Sequence, residues 1–145
     1  MYSNCIARRE HFYTSLRAAV DATVLPVHAL GACQGTEAPR DDDKLSSRTA
    51  SSYIEDAISV YSGYKFIVAF ENVNMDGYIT EKLTNAFLAG AVPIYSGAGD
   101  VAKYFSDKAM INCNYLSESG CIRLVLDISR NQTWYDEIRG IAPMS

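Results

Sequence analysis

The sequence predicts an α/β fold of the Rossmann-like class, in which a parallel sheet carries helices on both faces. Short apolar runs rich in aromatic and β-branched residues, such as residues 65–70 and 91–95, are typical of buried parallel strands. Segments with helical spacing of apolar residues lie between these runs, and loops rich in glycine separate them. Because regular alternation of strands and helices favours parallel crossovers, we expect one continuous sheet.

The predicted elements follow one another in this alternation. Residues 1–4 are interpreted as the end of a strand, and residues 8–20 as a helix, because Phe12, Leu16 and Ala19 recur at helical spacing. Residues 24–30 are apolar and predict a short strand, whereas residues 31–47 predict an exposed loop that includes three consecutive aspartates. The later predicted elements are a helix at 50–61, a strand at 65–70, a loop at 72–77, a helix at 79–89, a strand at 91–95, a short helix at 101–105, a strand at 110–113, and helices at 117–129 and 132–139.

Composition is that of an ordinary globular domain. The chain has 145 residues, of which 48% are hydrophobic and 21% charged, with a formal net charge of -4. This acidic balance argues against a general nucleic-acid binder, so no nucleic-acid partner is expected. No apolar run reaches the roughly 18–20 residues of a membrane-spanning helix, and the N-terminus has no signal-peptide pattern. We therefore expect no targeting segment within this stretch of sequence.

The cysteines do not indicate a zinc site, because they form no C-x-x-C pair and the two histidines are not spaced as metal ligands. They can form disulfides in an oxidising compartment or pack as small apolar residues in a reducing one. Cys5 and Cys33 follow two strands expected to be neighbours, so a disulfide between them is a hypothesis, whereas Cys113 and Cys121 are expected to pack in the core. Asn131 begins an N-glycosylation sequon, which matters only in a secretory protein.

Polar residues are expected at the carboxyl ends of the strands, where parallel sheets bind ligands. Glu71 and Asn72 directly follow a predicted strand. The next helix begins near Thr80, which can cap it, and a helix N-terminus attracts phosphate. Lys82 lies in the first turn against the helix dipole, which suggests a nearby anion. The alternative is that Lys82 only pairs with Glu81 or Glu71.

A second group of cations is expected at the same edge. Arg8 and Arg9 begin the first helix just after a strand end, and arginine suits bidentate contact with phosphate. A solvated helix start is the alternative for both. The sequence has no dinucleotide fingerprint, no P-loop and no Asp-x-Asp pair, so it implies neither a cofactor nor a divalent metal. A bound diphosphate would be neutralised by Lys, Arg and backbone N–H groups.

Three blocks of the sequence resemble the signature of the α-1,3-fucosyltransferases of glycosyltransferase family 10, which are inverting enzymes that use GDP-fucose. The blocks are YKFIVAFEN at 64–72, YITEKL at 78–83 and AGAVPI at 89–94, supported by SNC at 3–5 with Arg9 and Phe12, and by LGAC at 30–33. The resemblance covers essentially the whole chain. Val73 stands where serine is usual and Gly77 where aspartate is usual, so the loop between Asn72 and Gly77 is expected to be held differently.

The resemblance implies a GT-B type glycosyltransferase with two facing Rossmann-like domains, of which residues 1–145 are the C-terminal, GDP-fucose-binding half. We expect the chain to be a fragment, with the acceptor domain, its general base and a Golgi membrane anchor outside it. No catalytic residue is therefore expected here. By resemblance, Lys82 and Arg9 contact the pyrophosphate, Glu81 accepts hydrogen bonds from sugar hydroxyls, and Asn72 and Tyr78 line the pocket. Glu71 and Thr80 belong to the motif with roles left open.

The function implied by the resemblance is transfer of L-fucose from GDP-fucose to GlcNAc of a glycan or glycoprotein acceptor, with inversion, on the lumenal side of the Golgi membrane. One alternative is a non-catalytic or degenerate module that binds GDP without transferring fucose. Another is a different nucleotide-sugar transferase of the same architecture. From its sequence, this chain is expected to bind GDP weakly and to be unable to transfer fucose alone.

Overall fold

The computed structural model describes residues 5–30 and 57–145. The chain divides into two compact units, Met1–Val60 and Tyr61–Ser145. The predicted strand end at 1–4, the loop at 31–47 and the first part of the helix at 50–61 lie outside the described residues. Residues 57–61, the last part of that predicted helix, are helical.

The N-terminal unit contains helix α1, Ala7–Ala19, which confirms the helix predicted at 8–20. Its buried residues are Arg9, Phe12 and Leu16, which lie on one face because three or four residues separate them. Ile6 precedes the helix and provides no side-chain cap. Arg9 is thus part of the buried face of the helix.

The prediction of a strand at 24–30 is wrong. Residues 22–25 form turns, and residues 26–30 have no regular structure. The backbone N–H groups of Val24 and Leu25 both donate to the carbonyl of Asp21, each at 2.9 Å. The Asp21 carboxylate also accepts from the N–H and the hydroxyl of Thr23. Aspartate favours such local turns, and Pro26 lacks the N–H that a strand ladder requires. Local side-chain bonding therefore overrides the apolar pattern.

The C-terminal unit is built on a parallel sheet of three strands in the order β1-β2-β3. Strand β1 is Phe66–Phe70, β2 is Val92–Ser96 and β3 is Ile111–Asn112. In the register of β1 with β2, Phe66 lies opposite Val92 and Phe70 opposite Ser96, and Ile94 of β2 lies opposite Ile111 of β3. The three predicted strands are thus confirmed, with β3 shorter than predicted.

The helices of this unit are α2, Glu81–Leu88, α3, Glu118–Arg130, and α4, Gln132–Arg139. Gly90 follows α2 with a φ of 71°, a conformation that glycine adopts readily and that commonly ends helices. The short helix predicted at 101–105 is a 3₁₀ turn, Val101–Lys103, and a second one, Asp107–Ala109, escaped prediction. Within residues 5–30 and 57–145, no helix is long and apolar enough to cross a membrane.

Helices cover both faces of the sheet, as the sequence predicts for a Rossmann-like fold. On one face, Ala69 of β1 and Tyr95 of β2 form a buried cluster with Leu83 of α2. On the other face, the ring of Phe66 meets the ring of Tyr135 of α4 edge-on, with centroids 5.3 Å apart. Side chains of a strand alternate between the two faces, so β2, which is buried along its whole length, is covered by helices on each side.

A disulfide joins Cys113 to Cys121, with their Cα atoms 5.5 Å apart. Both residues are buried, but the expectation that they pack as unbonded core residues is wrong. Ser117 caps α3 and starts the helix directly after a short loop, so the first turn of α3 returns to the end of β3. Cys5 is also disulfide-bonded. Its predicted partner Cys33 lies outside the described residues, so that pairing stays a prediction.

Candidate functional site

The carboxyl edge of the sheet brings together a polar residue or a tight loop from each of the three strands. Glu71 directly follows β1, Gly97 directly follows β2, and Asn114 lies two residues beyond β3. The hydrogen bonding between β1 and β2 continues one residue beyond β1, because the N–H of Glu71 donates to the carbonyl of Ser96 at 2.8 Å. This is the edge at which parallel α/β sheets bind ligands, and it is therefore the candidate site.

Glu71 ties the end of β1 to the start of α2. Its side chain is fully buried. One carboxylate oxygen, Oε1, accepts from the N–H of Thr80 at 2.7 Å, and the other, Oε2, accepts from the Thr80 hydroxyl at 2.8 Å. Thr80 is the N-cap residue of α2, as predicted, and its hydroxyl oxygen lies 3.5 Å from the N–H of Lys82. A buried carboxylate must be hydrogen-bonded to be tolerated, and this one is.

Lys82 points back toward this pair. Its Nζ donates to the Thr80 hydroxyl at 2.9 Å and lies 3.4 Å from the Glu71 carboxylate. A weaker ion pair of 3.8 Å joins Nζ to Glu81, whose side chain is 50% exposed, whereas that of Lys82 is only 15% exposed. The first turn of α2 thus holds a largely buried ammonium group in one orientation. The pairing with Glu71 and Glu81 is the one that the alternative interpretation of Lys82 predicted, and contact with a phosphate stays a prediction.

Lys82 has two carboxylate partners at this edge, Glu71 at 3.4 Å and Glu81 at 3.8 Å. The Coulomb attraction of Lys82 for an incoming diphosphate is therefore partly offset by these partners. The unpaired N–H groups at the start of α2 add a second source of attraction for an anion.

The loop after β2 approaches Glu71 so closely that only glycine fits at position 97. A Cβ at Gly97 would lie 2.5 Å from Cγ of Glu71 and 2.6 Å from the hydroxyl of Tyr95. The same Tyr95 hydroxyl accepts from the N–H of Ala98 at 2.9 Å. The loop is therefore fixed against the buried carboxylate by sterics and by a buried tyrosine.

Asn114 fixes the same loop from the side of β3. Its Oδ1 accepts from the N–H of Gly97 at 2.8 Å, and its Nδ2 donates to the carbonyl of Ala98 at 2.9 Å. The neighbouring Tyr115 donates its hydroxyl to the carbonyl of Gly99 at 3.0 Å. Sequence reasoning did not select Asn114, although the rule that selected Glu71, proximity to the carboxyl end of a strand, applies to it as well.

The loop between β1 and α2 is held by Asp100. The N–H of Gly77 donates to Oδ1 of Asp100 at 2.8 Å, and this hydrogen bond is the main reason that the pKa of Asp100 lies below its usual 3.8. Gly77 has a φ of 74°, the left-handed region in which residues with a side chain are strained. Val73, the other departure from the motif, is half exposed.

Most of the predicted site residues lie together at this edge. Residues 71–82 contain Glu71, Asn72, Tyr78, Thr80, Glu81 and Lys82, of which Asn72 and Tyr78 are partly buried. Arg9 belongs to the N-terminal unit and is buried. A shared site of Arg9 and Lys82 therefore stays a prediction. Among the described residues, no group of three or more His, Cys, Asp or Glu side chains could hold a metal ion.

Comparison with solved structures defines the class of protein. The chain superposes on a crystal structure of an α1,3-fucosyltransferase with GDP at a TM-score of 0.79, with 23% identity, over 99% of this chain and 37% of that one. A second crystal structure, of an α1,3-fucosyltransferase with GDP-fucose, gives a TM-score of 0.76 at 25% identity, over 98% of this chain and 37% of that one. The fold is the one seen in part of a GT-B type fucosyltransferase.

The family follows from the sequence match. The model described as glycosyltransferase family 10 (fucosyltransferase) C-term matches residues 1–138. The chain therefore belongs to glycosyltransferase family 10, the fucosyltransferases, and corresponds to the C-terminal part of its members. The resemblance stated from the sequence is thus confirmed at the level of the family.

Fucosyltransferases whose names give different linkages or acceptors are similar to this part of the family sequence. Protein R654 of Acanthamoeba polyphaga mimivirus, named as a fucosyltransferase, is 34% identical over 113 residues, 77% of this chain and 19% of that protein. An alpha-(1,4)-fucosyltransferase of Arabidopsis thaliana is 29% identical over 117 residues, 76% of this chain and 28% of that protein. GDP-fucose protein O-fucosyltransferase 3 of Danio rerio is 43% identical over 53 residues, 37% of this chain and 12% of that protein. The chain spans less than a third of the length of each.

Proposed function

We propose that this chain binds GDP-fucose and forms the donor-binding half of an α-1,3-fucosyltransferase. In the complete enzyme, L-fucose is transferred to GlcNAc of a glycan or glycoprotein acceptor, with inversion at the anomeric carbon. The observation that carries the proposal is the placement of Lys82, which Thr80 and Glu71 hold at the carboxyl edge of the sheet with 15% of its side chain exposed. A family member crystallised with GDP-fucose supports the choice of donor.

The proposed chemistry requires charge stabilisation on the leaving group. An acceptor oxygen forms a bond to the anomeric carbon of fucose while the bond from that carbon to the GDP phosphate oxygen breaks, so negative charge grows on the diphosphate. Lys82 stabilises this charge, and its fixed orientation means that little reorganisation is needed as the charge develops. We propose Arg9, which the family resemblance assigns to the pyrophosphate, as a second cation, because arginine suits bidentate contact with phosphate.

The remaining roles are assigned by position along the same loop and helix start. Half-exposed Glu81 accepts hydrogen bonds from ribose or fucose hydroxyls, and partly buried Asn72 and Tyr78 line the nucleotide-sugar pocket. The acceptor hydroxyl loses its proton to a base within hydrogen-bond reach, and we propose that this base belongs to the acceptor domain of the complete enzyme. The donor half alone therefore binds GDP without transferring fucose.

Calorimetric titration of the chain with GDP, GDP-fucose and UDP tests donor binding. We expect guanine nucleotides to bind in preference to UDP, and Lys82→Ala to weaken GDP binding by about tenfold or more, the effect of losing one charge-assisted contact. Lys108→Ala is the matched control, because Lys108 is an exposed lysine in the 3₁₀ turn before β3. Equal GDP affinity of the two variants, or equal binding of UDP, would refute the proposed donor site.

The acceptor is tested on the complete enzyme. Related proteins are named for α-1,4 transfer and for transfer to protein, so a GlcNAc-terminated glycan and a peptide substrate are offered side by side with GDP-fucose. We expect fucose on the glycan, with an α-1,3 linkage visible in the NMR spectrum of the product. Fucose on the peptide hydroxyl would overturn the proposed acceptor, and binding of GDP-fucose without transfer to either would favour a non-catalytic module.

The proposed location of the complete enzyme is the lumenal side of the Golgi membrane, held by an anchor outside residues 1–145. The buried disulfide between Cys113 and Cys121 supports a lumenal compartment, since disulfides persist where conditions are oxidising. Microscopy of the tagged complete protein together with a Golgi marker tests this location. A uniform cytosolic distribution would contradict it.

A further inference from the structure

The junction between α3 and α4 presents an acceptor sequence for N-glycosylation on the surface. Asn131, Gln132 and Thr133 are all exposed, and they form the one N-x-[ST] sequence in the 145 residues. The helix α3 ends at Arg130 and α4 begins at Gln132, so Asn131 is both the C-cap of the first helix and the N-cap of the second. The sequon therefore lies at a corner between two helices.

The two halves of the Asn131 amide have different surroundings. Its Oδ1 accepts a hydrogen bond from the N–H of Trp134 at 3.0 Å, which caps α4. Its Nδ2, the atom that carries a glycan, makes no hydrogen bond to residues 5–30 or 57–145. An N-linked amide keeps its carbonyl oxygen, so a sugar on Nδ2 leaves the cap of α4 in place. The folded chain can thus carry the modification without losing this helix start.

The position of the sequon also keeps a glycan away from the candidate donor site. Gln132 Oε1 accepts from Nζ of Lys65 at 2.7 Å, and the Tyr135 hydroxyl donates to the carbonyl of Lys65 at 3.0 Å. Lys65 directly precedes β1, whereas Glu71 directly follows it, so the two ends are separated by roughly 20 Å of extended chain. The start of α4 therefore lies at the amino edge of the sheet, and the candidate site lies at the carboxyl edge.

A second observation supports the presence of the chain in an oxidising compartment. Cys113 and Cys121 form a disulfide, and Cys5 is also disulfide-bonded. Disulfides form and persist in the secretory pathway, the same compartment in which sequons are glycosylated. An exposed sequon in a reducing compartment would carry no such meaning, so the disulfides and the sequon support each other.

We propose that Asn131 is an N-glycosylation site. In the reaction, Nδ2 of Asn131 forms a bond to the anomeric carbon of an oligosaccharide carried on a polyprenyl diphosphate. The bond between that carbon and the diphosphate oxygen breaks with its electron pair on that oxygen, Nδ2 gives up one of its two protons to solvent, and the polyprenyl diphosphate leaves. This proposal concerns a modification of the chain and does not depend on the proposed donor-binding function.

The test directs the chain into the secretory pathway of a eukaryotic host and compares the mass of the secreted protein before and after peptide N-glycosidase treatment. We expect one glycan per chain, located at position 131 by peptide mapping. Thr133→Ala should abolish the glycan while leaving the cap residue unchanged, and Thr133→Ser, which preserves the sequon, should retain it. Asn131→Asp should lose the glycan and keep the cap, so its urea midpoint should match that of the enzymatically deglycosylated protein.

Two results would overturn the proposal. One is secretion of the chain with the bond between Cys113 and Cys121 formed but no glycosidase-sensitive mass. The other is a glycosidase-sensitive mass that persists in Thr133→Ala. Because Thr133→Ala leaves Asn131 in place, it decides the question even if Asn131→Asp is not secreted.

Discussion

Glu71 and Thr80 are joined by two hydrogen bonds, one to the backbone N–H of Thr80 and one to its hydroxyl, so a single buried carboxylate connects the end of β1 to the start of α2. Lys82 completes the arrangement by donating to the Thr80 hydroxyl. The orientation of the proposed phosphate-binding lysine therefore depends on a residue that has no solvent-exposed surface and need not touch the donor at all.

Glu71→Gln is expected to lower the free energy of unfolding of the C-terminal unit by about 2 kcal/mol, the scale of hydrogen bonds to a charged group. The NH₂ group that replaces one carboxylate oxygen cannot accept a hydrogen bond from Thr80, and Lys82 loses a counter-ion. Trp134, the single tryptophan of the chain, lies in α4 and reports unfolding of this unit by fluorescence in urea.

Glu81→Gln is the matched control for that measurement. Glu81 also pairs with Lys82, but at 3.8 Å and with half of its side chain exposed. Surface ion pairs of this kind contribute about 1 kcal/mol or less, so the urea midpoint should barely move. Equal losses of unfolding free energy in Glu71→Gln and Glu81→Gln would show that the burial of Glu71 does not increase its contribution to stability.

Thr80→Val should destabilise α2 by about 1 kcal/mol, because valine keeps the shape of threonine but removes the hydroxyl that caps the helix and meets both Glu71 and Lys82. Thr80→Ser keeps the hydroxyl and should restore most of that loss. GDP affinity, measured by calorimetry, should fall in the valine variant and recover in the serine variant. A valine variant with unchanged stability and affinity would contradict the role given to this hydroxyl.

The sequence was sufficient to predict the polar edge but not its internal contacts. The apolar run that ends at Phe70 predicts β1, and the rule for parallel sheets then places Glu71 at the ligand-binding edge. The close approach of Gly97 to Glu71 depends on the register that sets Phe70 opposite Ser96, and a pattern of apolar residues does not specify register between distant strands. The hydrogen bond from the Gly97 N–H to Asn114 cannot be predicted from the sequence for the same reason.

Local chemistry explains the two predictions that were wrong. The apolar pattern of residues 24–30 predicts a strand. Instead, the Asp21 carboxylate accepts a hydrogen bond from Thr23 and the Asp21 carbonyl accepts from Val24 and Leu25, so the chain forms turns. The spacing between Cys113 and Cys121 permits either free thiols or a bond. Only the turn that Ser117 introduces before α3 brings their Cα atoms to 5.5 Å.

Gly97→Ala is expected to destabilise the C-terminal unit by about 1–3 kcal/mol, the usual cost of adding a methyl group to a filled space. The new Cβ would lie 2.5 Å from Cγ of Glu71 and 2.6 Å from the Tyr95 hydroxyl, and both side chains are buried. In Gly99→Ala, the matched control, the nearest atom is Oδ1 of exposed Asp76 at 3.1 Å, which can move aside. The urea midpoint should therefore fall in Gly97→Ala and remain unchanged in Gly99→Ala.

The hydrogen bond from the Gly77 N–H to Asp100 predicts a specific loss of stability in acid. It holds the pKa of Asp100 in the folded chain below 3.8, the value expected in the unfolded chain. A carboxyl whose pKa is lowered on folding stabilises the folded state above the unfolded-state pKa. That contribution is lost as the pH falls through the folded-state pKa, because the unfolded chain binds the proton first.

Asp100→Asn removes this titration, while the amide oxygen can still accept from Gly77. Urea midpoints measured from about pH 6 to about pH 3 should show the advantage of the unsubstituted chain over Asp100→Asn shrinking below about pH 4. Asp127→Asn, at an exposed position on α3, controls for the loss of one surface charge. If the difference between the unsubstituted chain and Asp100→Asn stays constant over that range, Asp100 does not fasten the loop before α2 through its ionised form.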